Sequence, residues 1–475
     1  MNDPSDFLRR PPAGAEALEV RCPWSGALVG TVPVFDPGSV DQAICALARV
    51  DMARDSGLEA ALSRAALLFQ QRAQEFATLI SREQGKPLSE AIEEVQLTIG
   101  LIDSFARAGY RLGEQMQPLA VEARVGSRFG FTRQRPLGIT ALLTPNTFPL
   151  LIPAKLLLAS VAAGDRVVLK PAQATPLAAL RLVDVLREAG VNLDGVICVT
   201  GTGPVTGRAI CEHPLVDQIS CQSGIDTVRA VRQVMGTVPL RFHHGGSTVC
   251  LVAADADLDR FVEDLIRQRF ENGGQTAVSA STVLVEETVA EELVEKLRVA
   301  VQAICVGDPL QPGTQVGPLT EPTRTQSTFG MIEALTSAGA GARLVTGGIR
   351  LGSAITPALL ANVDLRHPAL WGRDGYREIL APVILMTPIE GLMESAGEWL
   401  HRRTHLVASV HTRDLDRATR LASALPVFNV HVNGIPTWRD GVIFTADSAS
   451  RLGRRQVDDR VREVSILQDV VFHSA

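Results

Sequence analysis

The sequence predicts an α/β protein whose domains are built on parallel sheets. Two observations carry this. At 475 residues the chain exceeds what one simple core holds, so two domains plus an appendage are expected. From residue 137 onward, short strand-like runs take turns with segments of helical period, the pattern of a parallel sheet with covering helices.

Taken in order, residues 20–35 alternate around Ser25-Gly26 and read as a hairpin. Asp36-Pro37-Gly38-Ser39 supplies a turn and N-cap. Helical periodicity then covers Val40–Asp51, Gly57–Gln84 and Leu88–Tyr110. Residues 118–135 switch to alternation and read as a two-stranded excursion. The alternating series follows: strand Gly138–Leu143, helix Leu150–Ala163, strand Val167–Lys170, helix Ala178–Glu188, strand Val196–Thr200, helix Gly203–Glu212, strand Asp217–Cys221 and helix Ile225–Met235. A second series starts at Val249, with helix Arg260–Glu271, strand Ala280–Val285 and helix Val289–Ala303 as clear members. Val464–Phe472 reads as a final strand. Sheets of this kind take ligands at the carboxyl ends of their strands.

Composition narrows the function classes. The hydrophobic fraction is 46%, charged residues are 21%, and the formal net charge is −6 with both signs mixed, which excludes a basic nucleic-acid face. Residues 1–13 lack the apolar core of a signal peptide, and the apolar run Phe148–Val161 is broken by Pro153 and Lys155, so neither secretion nor a membrane span is expected. The seven cysteines are dispersed, with no CxxC pair and no zinc-type spacing. That usage suits a reducing cytoplasm. Only four lysines (Lys86, Lys155, Lys170 and Lys296) occur among the 46 basic residues.

A set of motifs then appears in a fixed order. Thr144-Pro145-Asn146-Thr147-Phe148-Pro149 resembles T-P-[FW]-N-F-P, and Lys170-Pro171-Ala172-Gln173 resembles K-P-[SA]-E. His243-His244-Gly245-Gly246-Ser247 resembles E-L-G-G-K. Phe270 to Ala277 resembles F-x-N-x-G-Q-x-C. Gly307-Asp308-Pro309, Gly317-Pro318-Leu319 and Glu378-Ile379-Leu380-Ala381-Pro382 complete the series. Together they resemble the aldehyde dehydrogenase superfamily over essentially the whole chain. The resemblance implies a Rossmann-type cofactor domain (1–117 and 136–243), an α/β catalytic-type domain (244–457) and a β-hairpin oligomerisation element (118–135 and 458–475).

Read against the family, the chemistry departs at several positions. Aldehyde oxidation needs a thiolate that attacks the carbonyl. Its place falls on Ala277, and a methyl group attacks nothing. Thr276 and Ser279 lie nearby, but an alcohol needs an activating base. Cys221 and Cys250 belong to other segments and read as packing residues. The family's general base falls on His243, which can itself accept a proton near neutral pH. The oxyanion asparagine falls on Thr147, with Asn146 one residue early.

The resemblance implies NAD or NADP as cofactor, through Lys170 and Glu378, which are retained. Gln173 replaces the ribose-binding carboxylate, which weakens discrimination against a 2′-phosphate. The phosphate turn reads Gln222-Ser223-Gly224-Ile225-Asp226-Thr227-Val228, with Ser223 and Gly224 as contacts and the branched Val228 expected to crowd the pyrophosphate. Phe444 to Ser448 does not match the family's late P-F-G-G-x-K loop.

Three functions follow from the departures at Ala277, His243 and Thr147. One is a pseudoenzyme that binds a small carbonyl-type ligand or a partner, which is a copy of itself or an active homologue in a dimer or tetramer. Another is a repurposed enzyme in which His243 acts as acid or base on a carbonyl compound, by hydride transfer or as an isomerase, dehydratase or lyase. The third keeps aldehyde oxidation through an unrecognised nucleophile.

Overall fold

The computed structural model describes residues 16–51, 57–107, 115–118, 129–243, 246–372, 375–393, 405–427, 429–437 and 464–472. Among them two sheets are built mainly of parallel strands. The first sheet has five parallel strands in the order Val196–Cys198, Arg166–Lys170, Ile139–Leu143, Gln218–Gln222, Leu240–His243. The chain thus winds outward from the central strand Ile139–Leu143 and then reverses. The reversal leaves a crevice at the carboxyl ends of Ile139–Leu143 and Gln218–Gln222, where doubly wound sheets bind ligands. All five residues of Ile139–Leu143 are buried, as a strand covered on both faces requires.

The second sheet has seven strands, in the order Arg343–Thr346, Ala358–Ala361, Val383–Ile389, Ala280–Glu286, Ser247–Val252, His405–His411, Asn429–Val432. All its pairings are parallel except the edge strand Arg343–Thr346. A third, antiparallel sheet centres on Phe129–Pro136, flanked by Gln115–Pro118 and Ser465–Phe472. It joins the predicted excursion to the predicted final strand. Residues 119–128, which the sequence places inside the excursion, lie outside the described residues.

The predicted helix 57–84 is two helices, Leu58–Gln71 and Ala73–Gln84. They part at Arg72, whose guanidinium makes paired bonds of 2.7 Å to Glu188. Phe69 and Phe76 stack across the break with ring centres 4.7 Å apart, so both halves share one core. The predicted helix Gly203–Glu212 is instead a π-type turn, Gly203–Gly207, running into the single turn Arg208–Cys211. The Thr206 hydroxyl ties that turn to the carbonyl of Phe35 at 2.7 Å.

Helices Ala73–Gln84 and Leu88–Arg107 set the site from behind through buried glutamates. Glu83 accepts the backbone N–H groups of Leu177 and Ala178 at 2.8 and 2.9 Å. Glu94 accepts those of Leu150 and Leu151 at 2.9 and 3.1 Å. Helices Leu177–Glu188 and Leu151–Ala163 have no side-chain cap of their own, so distant carboxylates satisfy their first donors. Lys86 balances Glu94 at 2.5 Å, with both side chains almost wholly enclosed.

Candidate active site

One cavity of about 910 Å³ lies at the crevice of the five-stranded sheet and extends to the turn before strand Ala280–Glu286. It gathers nearly every residue that the sequence singled out. Lys170, Gln173, Ser223, Gly224, Asn146, Thr147, Ala277 and Glu378 all line it. His243 ends the edge strand, paired in register with Gln222. The His243 side chain and all of His244 and Gly245 lie outside the described residues.

The Ala277 turn is built by a short chain of buried bonds. Asn272 adopts the left-handed conformation at φ 52° and is held from three sides. Its N–H donates to Glu90 at 2.6 Å, its amide oxygen accepts from Gln84 at 2.7 Å, and its amide nitrogen donates to the Thr147 carbonyl at 3.2 Å. Gln275 closes the turn by donating to the Asn272 carbonyl at 2.9 Å and accepting from the Thr320 N–H at 3.1 Å. Gly274 has φ 73°, and a Cβ there would stand 2.5 Å from the Ala381 carbonyl oxygen. Arg269, fully buried, bonds the carbonyls of Val383, Ile379 and Ala381, and so clips this turn to the segment carrying Glu378. Burial pushes its guanidinium down to about 9.

Ala277 is half-buried, and its carbonyl accepts the Gly246 N–H at 3.4 Å. The segment that follows His243 therefore comes back beside the Ala277 backbone. Thr276 lines the cavity, whereas the Ser279 hydroxyl is engaged with Arg269 on both its donor and acceptor sides. Among the seven cysteines only Cys211 lines the cavity, at the Lys170 end, and burial pushes its thiol up to about 12. Cys221 and Cys250 are buried in the hydrophobic cores, as expected.

One of the two N–H groups of the Asn146 amide is engaged. Its nitrogen donates to Glu321 Oε1 at 3.0 Å. Thr147 offers its carbonyl to Lys86 Nζ and Asn272 Nδ2, both at 3.2 Å. The side-chain donor expected of an oxyanion hole is thus tied to a carboxylate.

At the other end Lys170 is buried, and desolvation pushes its ammonium down to about 8. Gln173 is exposed at the rim. Gly224 precedes helix Ile225–Val234, whose first turn carries Asp226. Val228, expected to crowd a pyrophosphate, points into the core instead and is 1% exposed. Helical phase turns it away, and Thr227 faces the cavity in its place. Glu378 is half-buried with Oε1 enclosed and unpartnered. Burial pushes this carboxyl up to about 8 against the opposing fields of Arg324 and Arg269.

The residues sequence reading missed are Glu83, Lys86, Glu90, Glu94, Glu321 and Arg324. The first four had a signal, charged side chains at positions that face the helix seam. Asp41, Cys45 and His213 also come together, with ligand atoms within 4.8 Å. The His213 Nδ1 accepts the Leu215 N–H at 3.2 Å, so Nε2 carries the proton shared with Asp41 at 3.3 Å. That lone pair is taken, and the cluster reads as a hydrogen-bonded turn.

The sequence model of the Aldehyde dehydrogenase family matches residues 10–470. The chain belongs to the aldehyde dehydrogenase family. Within it, the chain is 33% identical over 435 residues to a 3,6-anhydro-alpha-L-galactose dehydrogenase of Streptomyces coelicolor, covering 88% of this chain and 85% of that protein. It is 30% identical to an NADP(+) succinate-semialdehyde dehydrogenase of Escherichia coli, covering 92% and 91%. Among solved structures, an NADP-dependent enzyme of Escherichia coli superposes with a TM-score of 0.84 at 25% identity over 99% of both chains. An NADP-bound glyceraldehyde-3-phosphate dehydrogenase of Bacillus halodurans has a TM-score of 0.86 at 23% identity, covering 98% of this chain and 97% of that one, and speaks to the fold alone. The expected Rossmann-type α/β architecture is thereby established, and the aldehyde dehydrogenase fold is one that binds NAD or NADP. No described helix is long and apolar enough to cross a membrane.

Proposed function

We propose that this chain is an aldehyde dehydrogenase family member that binds a nicotinamide dinucleotide and does not oxidise aldehydes through a thiol. The observation that carries the reading is Ala277. It sits on the cavity wall, in a turn held by Asn272, Gln275 and Arg269, and Cys211, the cysteine that lines the cavity, has its thiol pushed up to about 12. The cofactor fits the residues present: Glu378 offers an enclosed, unpartnered acceptor for a ribose hydroxyl, and Lys170 a buried cation for the second ribose. When bound, a nicotinamide supplies hydride exchange. The protein's own groups position it, with Glu321 holding Asn146 and Lys86 holding the Thr147 carbonyl.

NADP is the preferred form in this reading. Gln173 carries no charge to repel a 2′-phosphate, and Lys170 and Arg208 are the cations at that end of the cavity. Residues 1–117 and 136–243 carry the cofactor, 244–457 the catalytic-type turn, and the element of 118–135 and 458–475, whose described strands Phe129–Pro136 and Ser465–Phe472 pair with one another, joins the chain to a copy of itself or an active homologue. Seven free cysteines fit a cytoplasmic protein.

The test is purified protein incubated with NADP and a panel of small aldehydes, followed by intact mass and NADPH formation. We expect no acyl adduct and no aldehyde-dependent NADPH. A stable adduct on any residue, with turnover, would overturn the reading. A second reading is favoured by the bond from Gly246 to Ala277, which brings the segment after His243 to the turn. There His243 serves as acid or base on a carbonyl ligand. It predicts a conversion that H243A abolishes while leaving dinucleotide binding unchanged.

A further inference from the structure

Arg324 is out of place for everything the described residues ask of it. It lies in the first turn of helix Pro322–Thr336, where the helix dipole disfavours a cation by about 0.3–1 kcal/mol. Its Nε is buried without a partner, and the guanidinium makes no side-chain hydrogen bond or ion pair among the described residues. A buried, unpaired donor on a charged group carries a further cost. The natural candidates are already taken or too far. Glu321, one turn back, receives Asn146, and Glu378 feels the field of Arg324 without forming an ion pair with it.

Arg324 lines the same cavity as Glu378, Glu321, Thr147 and Ala277. Its unpartnered donor and the unpartnered Glu378 Oε1 are thus complementary vacancies in one wall: one needs an acceptor, the other a donor. At the helix end expected to receive a diphosphate, Asp226 in the first turn is paired with Arg229 at 2.7 Å.

We propose that Arg324 binds an oxyanion of the ligand in this cavity, supplied by the diphosphate of a dinucleotide or by the carboxylate of a small substrate. A guanidinium offers a planar fork that matches either group, which fixes orientation as well as affinity. The inference rests on the cavity being the ligand site, and it holds whether or not Ala277 silences thiol chemistry.

The experiment is direct binding by calorimetry on the full chain, wild type against R324Q and R324K, with four probes. NADPH and ADP-ribose carry the diphosphate, 2′,5′-ADP reports the adenosine end, and succinate supplies a carboxylate. Circular dichroism and melting confirm that the variants are folded. If the diphosphate is the partner, R324Q weakens NADPH and ADP-ribose by about tenfold or more and leaves 2′,5′-ADP within about twofold. If a carboxylate is the partner, succinate loses affinity to the same extent and NADPH does not. In either arm R324K retains part of the affinity, and added salt weakens wild type more than R324Q. Equal binding of all probes by wild type and R324Q overturns the inference while leaving dinucleotide binding intact. No wild-type binding of any probe overturns both.

Discussion

The chemistry of Lys170 follows from where one ammonium is buried. Desolvation moves its titration down to about 8, so the charged form is lost as pH rises through that value. The ammonium is the form that attracts a ribose oxygen or a 2′-phosphate. This loss lowers NADPH affinity between about pH 7 and pH 9 in wild type; K170M binds more weakly and lacks that fall, keeping only the dependence set by Glu378, which also titrates at about 8. Fluorescence titration of NADPH at each pH checks this; an affinity that rises with pH would remove Lys170 from the ligand site. Gly274 is a second residue-scale case. Its φ of 73° and the 2.5 Å approach of a Cβ to the Ala381 carbonyl leave no room for a side chain. G274A should lose about 2 kcal/mol or more of stability, read as a lower urea midpoint. Ala277, Lys170 and Glu378 were legible from sequence because motif order alone assigns them. Asn146 was legible as a candidate, but not its partner. Glu321 lies 175 residues away, and no local pattern announces that bond.

At the scale of elements, the helices before the first sheet act as the scaffold of the site. Lys86 and Glu94 form an enclosed pair that also reaches the Thr147 carbonyl, the Leu150 and Leu151 N–H groups, and the Phe148 ring at 4.1 Å. Removing the cation alone strands a carboxylate in the core. K86A should therefore cost about 3–5 kcal/mol, whereas K86M/E94Q should cost less than K86A because no charge is left unpaired. Chemical denaturation of the three proteins decides it; a double variant weaker than the single one would show that packing, not charge, sets the cost. The sequence showed these helices by period and missed their function. Glu83, Glu90 and Glu94 sit at charged positions facing the helix seam, but what they cap becomes visible only when distant helices and turns are brought against them. The break at Arg72 was equally hidden, since helical period continues through it and only the bond to Glu188 marks the place.

For the whole molecule, the antiparallel sheet joins two distant stretches of chain, with Phe129–Pro136 between Gln115–Pro118 and Ser465–Phe472. If this sheet is the assembly surface, truncation after residue 464 removes one of its three strands. The truncated chain should then elute as a smaller species than the full chain in light-scattering chromatography, with helical content retained. An unchanged mass would move the assembly surface elsewhere. The Rossmann-type order of the five-stranded sheet was implied by family resemblance and by alternation. The separate seven-stranded sheet was visible only in part, because its late strands sit in segments of weak period.

By itself the sequence determined the covalent facts: which atom stands at position 277, which lysines survive, where Gln173 lost a charge, and which family these motifs follow. Those are properties of residue identity and spacing, and they need no folding to be true. Tertiary structure alone decided which polar groups are satisfied. It gave Asn146 to Glu321, turned Val228 into the core, and left Arg324 and Glu378 each with an open valence in the same wall. Hydrogen-bond satisfaction under burial depends on groups tens to hundreds of residues apart, and only the folded chain sets those distances.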